Sequence, residues 1–166
     1  LFIALLWVIH FVNVLLRYRL NILGVYPRRV SGLIGIPCFS FLHGSFNHLF
    51  FNSIPLIVLI NFMLLSGMQK FIHVTATIIL ISGAMLWLCG RRAIHIGASC
   101  LVMGYFGYLL INAYQHPSLL TIIFALVSLY YFGGLLGGFF LSQEKVSWEG
   151  HIFGFLAGLA AVYLFS

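Results

Sequence analysis

Two residues near the starts of apolar segments have the types needed for nucleophilic chemistry. Ser99 lies in HIGASCLVMG, residues 95–104, and His151 lies in SWEGHIFGFLAG, residues 147–158. A serine hydroxyl becomes a good nucleophile when a base within hydrogen-bond distance takes its proton, and a neutral imidazole is the usual base. The pair predicts acyl transfer, with Ser99 as the nucleophile and His151 as the general base.

Acyl transfer also needs hydrogen-bond donors for the negative charge that develops on the carbonyl oxygen. In FLHGSFNHLFFNSIP, residues 41–55, His48 and Asn52 are four residues apart and share one face of a helix. We expect these two side chains and the backbone amide of Ser99 to form the oxyanion hole.

A catalytic triad would need an acidic residue that orients His151, but this chain has few acidic residues and none in a suitable position. The chain has only Glu144 and Glu149, and Glu149 is two residues from His151, which puts it on a different helical face. The sequence therefore predicts a dyad. His95, four residues before Ser99, is an alternative base that we expect to lie in a loop.

The elements that position these residues are membrane helices. Of the 166 residues, 63% are hydrophobic and 6% are charged, and the mean hydropathy is +1.13, which excludes an ordinary soluble domain. A span needs about 20 apolar residues. The fold class we predict is an all-α, polytopic six-helix bundle forming one domain over 1–166, and we expect a preceding N-terminal segment. The apolar runs are 1–16, 49–68, 71–90, 93–114, 119–141 and 150–165.

The charged residues and the cysteines limit which partners, metals and cofactors we expect for this protein. The net charge of +6 comes mainly from arginines beside the apolar runs, which suits lipid headgroups and not nucleic acid. By the positive-inside rule, these arginines place the connection after the first helix in the cytoplasm. The three cysteines are odd in number and show no CxxC spacing, which indicates neither a disulfide framework nor a zinc site. We expect no metal and no cofactor.

Glycines predict close packing and flexibility. His151, Gly154 and Gly158 fall on one stripe of the last helix, which favours close approach to a neighbouring helix. Glycine pairs between residues 133 and 138 make the fifth helix a candidate moving wall, and LSQEKVSW, residues 141–148, is a candidate lid.

Taken in order, HGSFNHLFFN, GASC and GHIFGFLAG resemble the motifs of the rhomboid family of intramembrane serine proteases. The resemblance implies a six-helix fold, transmembrane protein substrates in a lipid bilayer, and a multi-pass location that we expect to be a bacterial plasma membrane. It also implies that Ser99 is the nucleophile, His151 the base, and His48 and Asn52 the oxyanion pair. His43 matches a further histidine at the end of the first loop.

This chain departs from the family pattern at two positions near the nucleophile. Cys100 replaces a glycine, and Met103 stands where many relatives have a tyrosine that stacks on the histidine. Family topology also puts the active-site loops outside the cytoplasm, contrary to the arginine distribution.

Two other function classes stay open. One is a catalytically silent relative that binds transmembrane clients. The other is an unrelated transporter or channel, which predicts inverted repeats with broken helices, and the sequence shows none.

Overall fold

The computed structural model describes residues 1–138 and 147–165, with side chains up to residue 130 and again from residue 147. Within these ranges the fold is all-α, as the sequence predicts, and contains no β-strand. Glu144 and most of the predicted lid lie outside the described residues. The α-helices are α1 (Phe2–Leu15), α2 (Gly35–Cys38), α3 (Phe46–Leu65), α4 (Met68–Cys89), α5 (Ser99–Gln115), α6 (Leu119–Gly138) and α7 (Trp148–Phe165).

Each predicted apolar run corresponds to one long helix, but the starts of α3, α4 and α5 differ from the expected boundaries by three residues or more. The run at 49–68 becomes a helix that starts earlier, because the Oγ atom of Ser45 caps α3 by accepting the N–H of His48 at 3.1 Å. The run at 93–114 becomes a helix only from Ser99, because the preceding residues form an irregular segment. By length and composition, α3, α4 and α7 are able to cross a membrane.

Helix α5 is the centre of the bundle. All its side chains from Cys100 to Leu109 are buried, and the helix packs against α3, α4, α6 and α7. Because neighbouring helices surround α5, they fix the position of this helix and therefore of Ser99 at its start.

The packing of α7 on α5 depends on the predicted glycine stripe. A side chain at Gly154 would overlap the backbone of Cys100, and a side chain at Gly158 would overlap the backbone of Gly104. Both contacts repeat after four residues in each helix, so the two helices run parallel and start at the same end of the bundle. The first turn of α7 therefore lies beside the first turn of α5.

The connection between α1 and α3 is folded onto the segment that leads into α5. It contains 3₁₀ turns at Arg19–Leu23, Val30–Ile34 and Phe39–Phe41. Val25 and His95 pair through two backbone hydrogen bonds of 3.0 and 2.9 Å. This pairing brings the first loop to the same end of the bundle as Ser99.

Candidate active site

Ser99 is the first residue of α5 and is partly exposed. The chain enters this helix through Gly97, whose φ of +124° suits glycine far better than any L-residue. The amides of residues 101 and 102 both bond to the carbonyl of Ala98. The amides of Ser99 and Cys100 precede the first intrahelical bonds, so they can donate to a ligand at this helix end.

The two predicted oxyanion donors converge on Gly97. A methyl group on this glycine would lie 2.7 Å from Nε2 of His48 and 3.9 Å from Nδ2 of Asn52. Asn52 is 9% exposed, and its Nδ2 has no hydrogen-bond partner among the described residues. A buried amide group without a partner is costly, so a group that accepts a hydrogen bond at this point would stabilise it.

His151 lies in the first turn of α7 and is partly exposed. One turn further along, Gly154 contacts the backbone of Cys100. Because α5 and α7 run parallel, His151 comes level with the residues just before Ser99. It is also close enough to His48 for the two rings to interact electrostatically.

His43 supports the segment that precedes Ser99. It is fully buried, and its Nε2 accepts the backbone N–H of Ala98 at 3.3 Å. The pKa of His43 is lowered to about 3, mainly by burial and then by the nearby His48 and His10. The ring is therefore neutral at neutral pH, and Nε2 remains an acceptor. The same segment is also supported by a backbone hydrogen bond, which the N–H of Gly97 donates to the carbonyl of Phe39 at 2.9 Å.

Cys100, which follows Ser99, points into the protein. Cys100 is 1% exposed, and its Sγ atom lies 3.1 Å from Oγ of Ser40. Met103, the other departure from the family pattern, is also buried. The thiol therefore adds a contact between α5 and the first connection.

A group of four polar residues ties the start of α7 to the segment before α5, and we name Arg91, His95, Ser147 and Glu149 the polar clamp. Ser147 caps α7, because its Oγ accepts the N–H of Gly150 at 3.3 Å, and this oxygen lies 2.7 Å from Nδ1 of His95. Nε2 of His95 donates to the carbonyl of Arg91 at 3.0 Å. Buried Glu149 accepts the backbone N–H of Arg91 at 3.3 Å and lies 3.5 Å from its Nε.

The polar clamp includes His95, the alternative base that the sequence offers, and Glu149, the acidic residue two positions before His151. Both ring nitrogens of His95 make contacts within the clamp, one to Ser147 and one to the carbonyl of Arg91. The Oε1 atom of Glu149 bonds to Arg91, and its Oε2 has no hydrogen-bond partner in the described ranges. Both residues therefore join the start of α7 to the segment that leads into α5.

The geometry brings a helix-end serine, two side-chain donors and a histidine to one end of the bundle. In the part of the chain that the structure describes, no group of three or more His, Cys, Asp or Glu side chains is arranged to hold a metal ion. The arrangement suits chemistry in which a hydroxyl attacks a carbonyl and the resulting oxyanion accepts several hydrogen bonds.

Comparison with known proteins gives consistent matches. A family model described as the Rhomboid domain matches residues 31–166. An uncharacterized protein of Mycobacterium tuberculosis and one of Mycobacterium bovis are each 37% identical over 174 residues, covering 99% of this chain and 72% of theirs. An uncharacterized protein of Mycobacterium leprae is 34% identical over 99% of this chain and 69% of its own.

Proposed function

Since the chain belongs to the rhomboid family, we propose that this membrane protein is an intramembrane serine endopeptidase that cleaves peptide bonds in or near the transmembrane segments of other proteins. The observation that supports this most is the convergence on Gly97, two residues before Ser99, of His48 and of the Nδ2 atom of Asn52, which has no hydrogen-bond partner among the described residues. An oxyanion formed by attack of Ser99 would accept hydrogen bonds at that point.

In the proposed reaction, His151 takes the proton from Oγ of Ser99 as that oxygen bonds to the substrate carbonyl carbon. The carbonyl electrons move onto the oxygen, which accepts hydrogen bonds from His48, Asn52 and the Ser99 amide. When the carbon–nitrogen bond breaks, His151 gives its proton to the leaving amine and an acyl-enzyme remains. Water, deprotonated by His151, then hydrolyses the ester and restores Ser99.

The same proposal includes the architecture in the membrane. We infer six spans, formed by α1, α3, α4, α5, α6 and α7, that together make one domain over 1–166 in a bacterial plasma membrane. Helix α5 has 17 residues, which is short for a span. It is buried among its neighbours, so it does not need to match the thickness of the lipid.

A substrate helix must unwind locally before cleavage, because a helical carbonyl is already hydrogen-bonded and shielded. We therefore expect substrates with small or helix-breaking residues near the cleaved bond. No cofactor takes part in this mechanism, because the serine, the histidine and the amide donors supply every step.

The test is cleavage of a transmembrane reporter in proteoliposomes. We expect wild-type protein to cleave the reporter and Ser99→Ala and His151→Ala to be inactive while still folded. Ser118→Ala is the matched control, because Ser118 also lies at a helix start, where its Oγ accepts the N–H of Thr121 at 3.1 Å. Full cleavage by Ser99→Ala would refute the proposed nucleophile.

A second candidate is a catalytically silent family member that binds transmembrane clients. It is favoured by Cys100, whose side chain bonds to Ser40 where relatives often have glycine. Under this alternative, reporter helices bind to wild type and to Ser99→Ala equally well, and neither protein cleaves them.

A further inference from the structure

Three arginines of the first and third connections between the long helices surround one cavity. The cavity has a volume of about 220 Å³ and is lined by Tyr26, Pro27, Arg28, Arg29 and Arg92. The guanidinium carbon of Arg29 lies 4.3 Å from the centre of the Tyr26 ring, which orients this side chain. The site therefore concentrates positive charge beside aromatic surface.

Backbone contacts with the end of α4 hold this site in place. The N–H of Arg28 donates to the carbonyl of Trp87 at 3.0 Å, and its Nη1 donates to the carbonyl of Leu88 at 3.1 Å. The indole N–H of Trp87 donates to the carbonyl of Arg29 at 2.8 Å. Arg28 also has a φ of +59°, a left-handed conformation that is costly for an L-residue and that these contacts with the end of α4 hold in place.

The positive charge lacks an acidic partner within the described part of the chain. Glu149, the acidic residue that the structure describes, pairs with Arg91 and not with the three arginines of the cavity. Guanidinium groups repel one another at short range, so a bound anion would stabilise this cluster. Phosphate fits best, because the planar guanidinium donates two parallel hydrogen bonds to its oxygens.

The position of the cavity favours a membrane lipid as the source of such a phosphate. It lies at the end of α4, one of the helices able to cross a membrane, where Trp87 and Tyr26 are amphipathic rings of the kind enriched at headgroup level. We propose that this cavity binds the phosphate of an anionic phospholipid headgroup. Such a site would give Arg28, Arg29 and Arg92 a role at the Ser99 end of the bundle that does not depend on the positive-inside rule.

The proposal is independent of catalysis and is tested by lipid binding. The purified full chain in detergent is titrated with phosphatidylglycerol or phosphatidylcholine, and binding is measured by native mass spectrometry. We expect phosphatidylglycerol to bind more tightly, and Arg29→Gln and Arg92→Gln each to weaken it about fivefold. Arg92 makes none of the backbone bonds described above, so its variant tests the site even if changes at Arg28 or Arg29 unfold the loop.

Two control variants distinguish lipid binding in this cavity from attraction of anionic lipid by the overall positive charge of the surface. Arg17→Gln and Arg19→Gln remove the same charge from the same connection but do not line the cavity, so both should bind phosphatidylglycerol as wild type does. Equal binding of the two lipids, or an equal loss in these controls, would overturn the proposal. So would displacement of the lipid by millimolar inorganic phosphate, because the site would then take free phosphate.

Discussion

The substitution Gly97→Ala tests whether the proposed oxyanion site needs the space beside this glycine. Its effect on catalysis must be distinguished from the backbone strain that any L-residue suffers at a positive φ. A methyl group at Gly97 would lie 2.7 Å from Nε2 of His48, closer than carbon and nitrogen pack, so the imidazole must move. Its φ of +124° adds strain of about 1–3 kcal/mol. Displacing one oxyanion donor costs about 2.7–4 kcal/mol in the transition state, so kcat should fall about 10²–10³-fold.

Gly67→Ala is the matched control for that substitution. Gly67 also has a positive φ, +108°, but a methyl group there would meet nothing within 4 Å. Both variants should lose thermal stability in detergent through backbone strain, Gly97→Ala more because His48 must also move, whereas only Gly97→Ala should lose cleavage of the transmembrane reporter. A Gly97→Ala protein with wild-type kcat would refute the placement of the oxyanion beside His48.

Three further predictions concern the residues that hold the site together. Gly154→Ala should destabilise the fold and abolish cleavage, because its methyl group would overlap the backbone of Cys100, and a thermal unfolding curve like that of wild type would contradict this packing. Glu149→Gln should lower kcat about 10- to 100-fold with little change in KM, because it loosens the polar clamp and misplaces His151 by a fraction of an ångström; an unchanged kcat in the folded variant would show that the clamp does not position the base. His43→Gln should reduce the loss of folding stability that occurs as the pH falls below about 6.5. Since burial lowers the pKa of His43 from 6.5 to about 3, the unfolded chain binds more protons between these values, and wild-type stability falls with decreasing pH by up to about 1.4 kcal/mol per pH unit. Identical pH slopes for the two proteins in denaturant unfolding would contradict a neutral, buried His43.

The helix positions could be predicted from the sequence because hydropathy and length are local properties. The runs at 71–90 and 150–165 differ from α4 and α7 by only a few residues. Prediction from hydropathy fails at the start of α3. The helix begins directly after Ser45, whose hydroxyl caps it, and hydropathy alone does not mark this residue as a helix start.

The placement of His48 and Asn52 on one face could also be predicted, because four residues make about one turn of a helix. Glycine spacing similarly indicated that α7 packs closely on a neighbour, and the structure identifies that neighbour as α5. The catalytic roles of Ser99, His151, His48 and Asn52 stay predictions.

The polar contacts around the site could not be predicted, because they join residues far apart in the sequence without any periodic pattern. Ser147 meets His95, and Glu149 meets Arg91, across more than 50 residues. The bond between His43 and the amide of Ala98 is of the same kind. Such pairs depend on how the helices are arranged, which hydrophobic periodicity leaves undetermined.

The central claim, an activated nucleophile at Ser99, is tested most directly by labelling the purified protein with a fluorophosphonate, which reacts with activated serines. Wild type, Ser99→Ala, His151→Ala and the control Ser118→Ala are compared under conditions in which each is folded. We predict that wild type and Ser118→Ala are labelled and that the other two variants are not. Labelling that persists in Ser99→Ala, or its absence from folded wild-type protein, would contradict a dyad of Ser99 and His151.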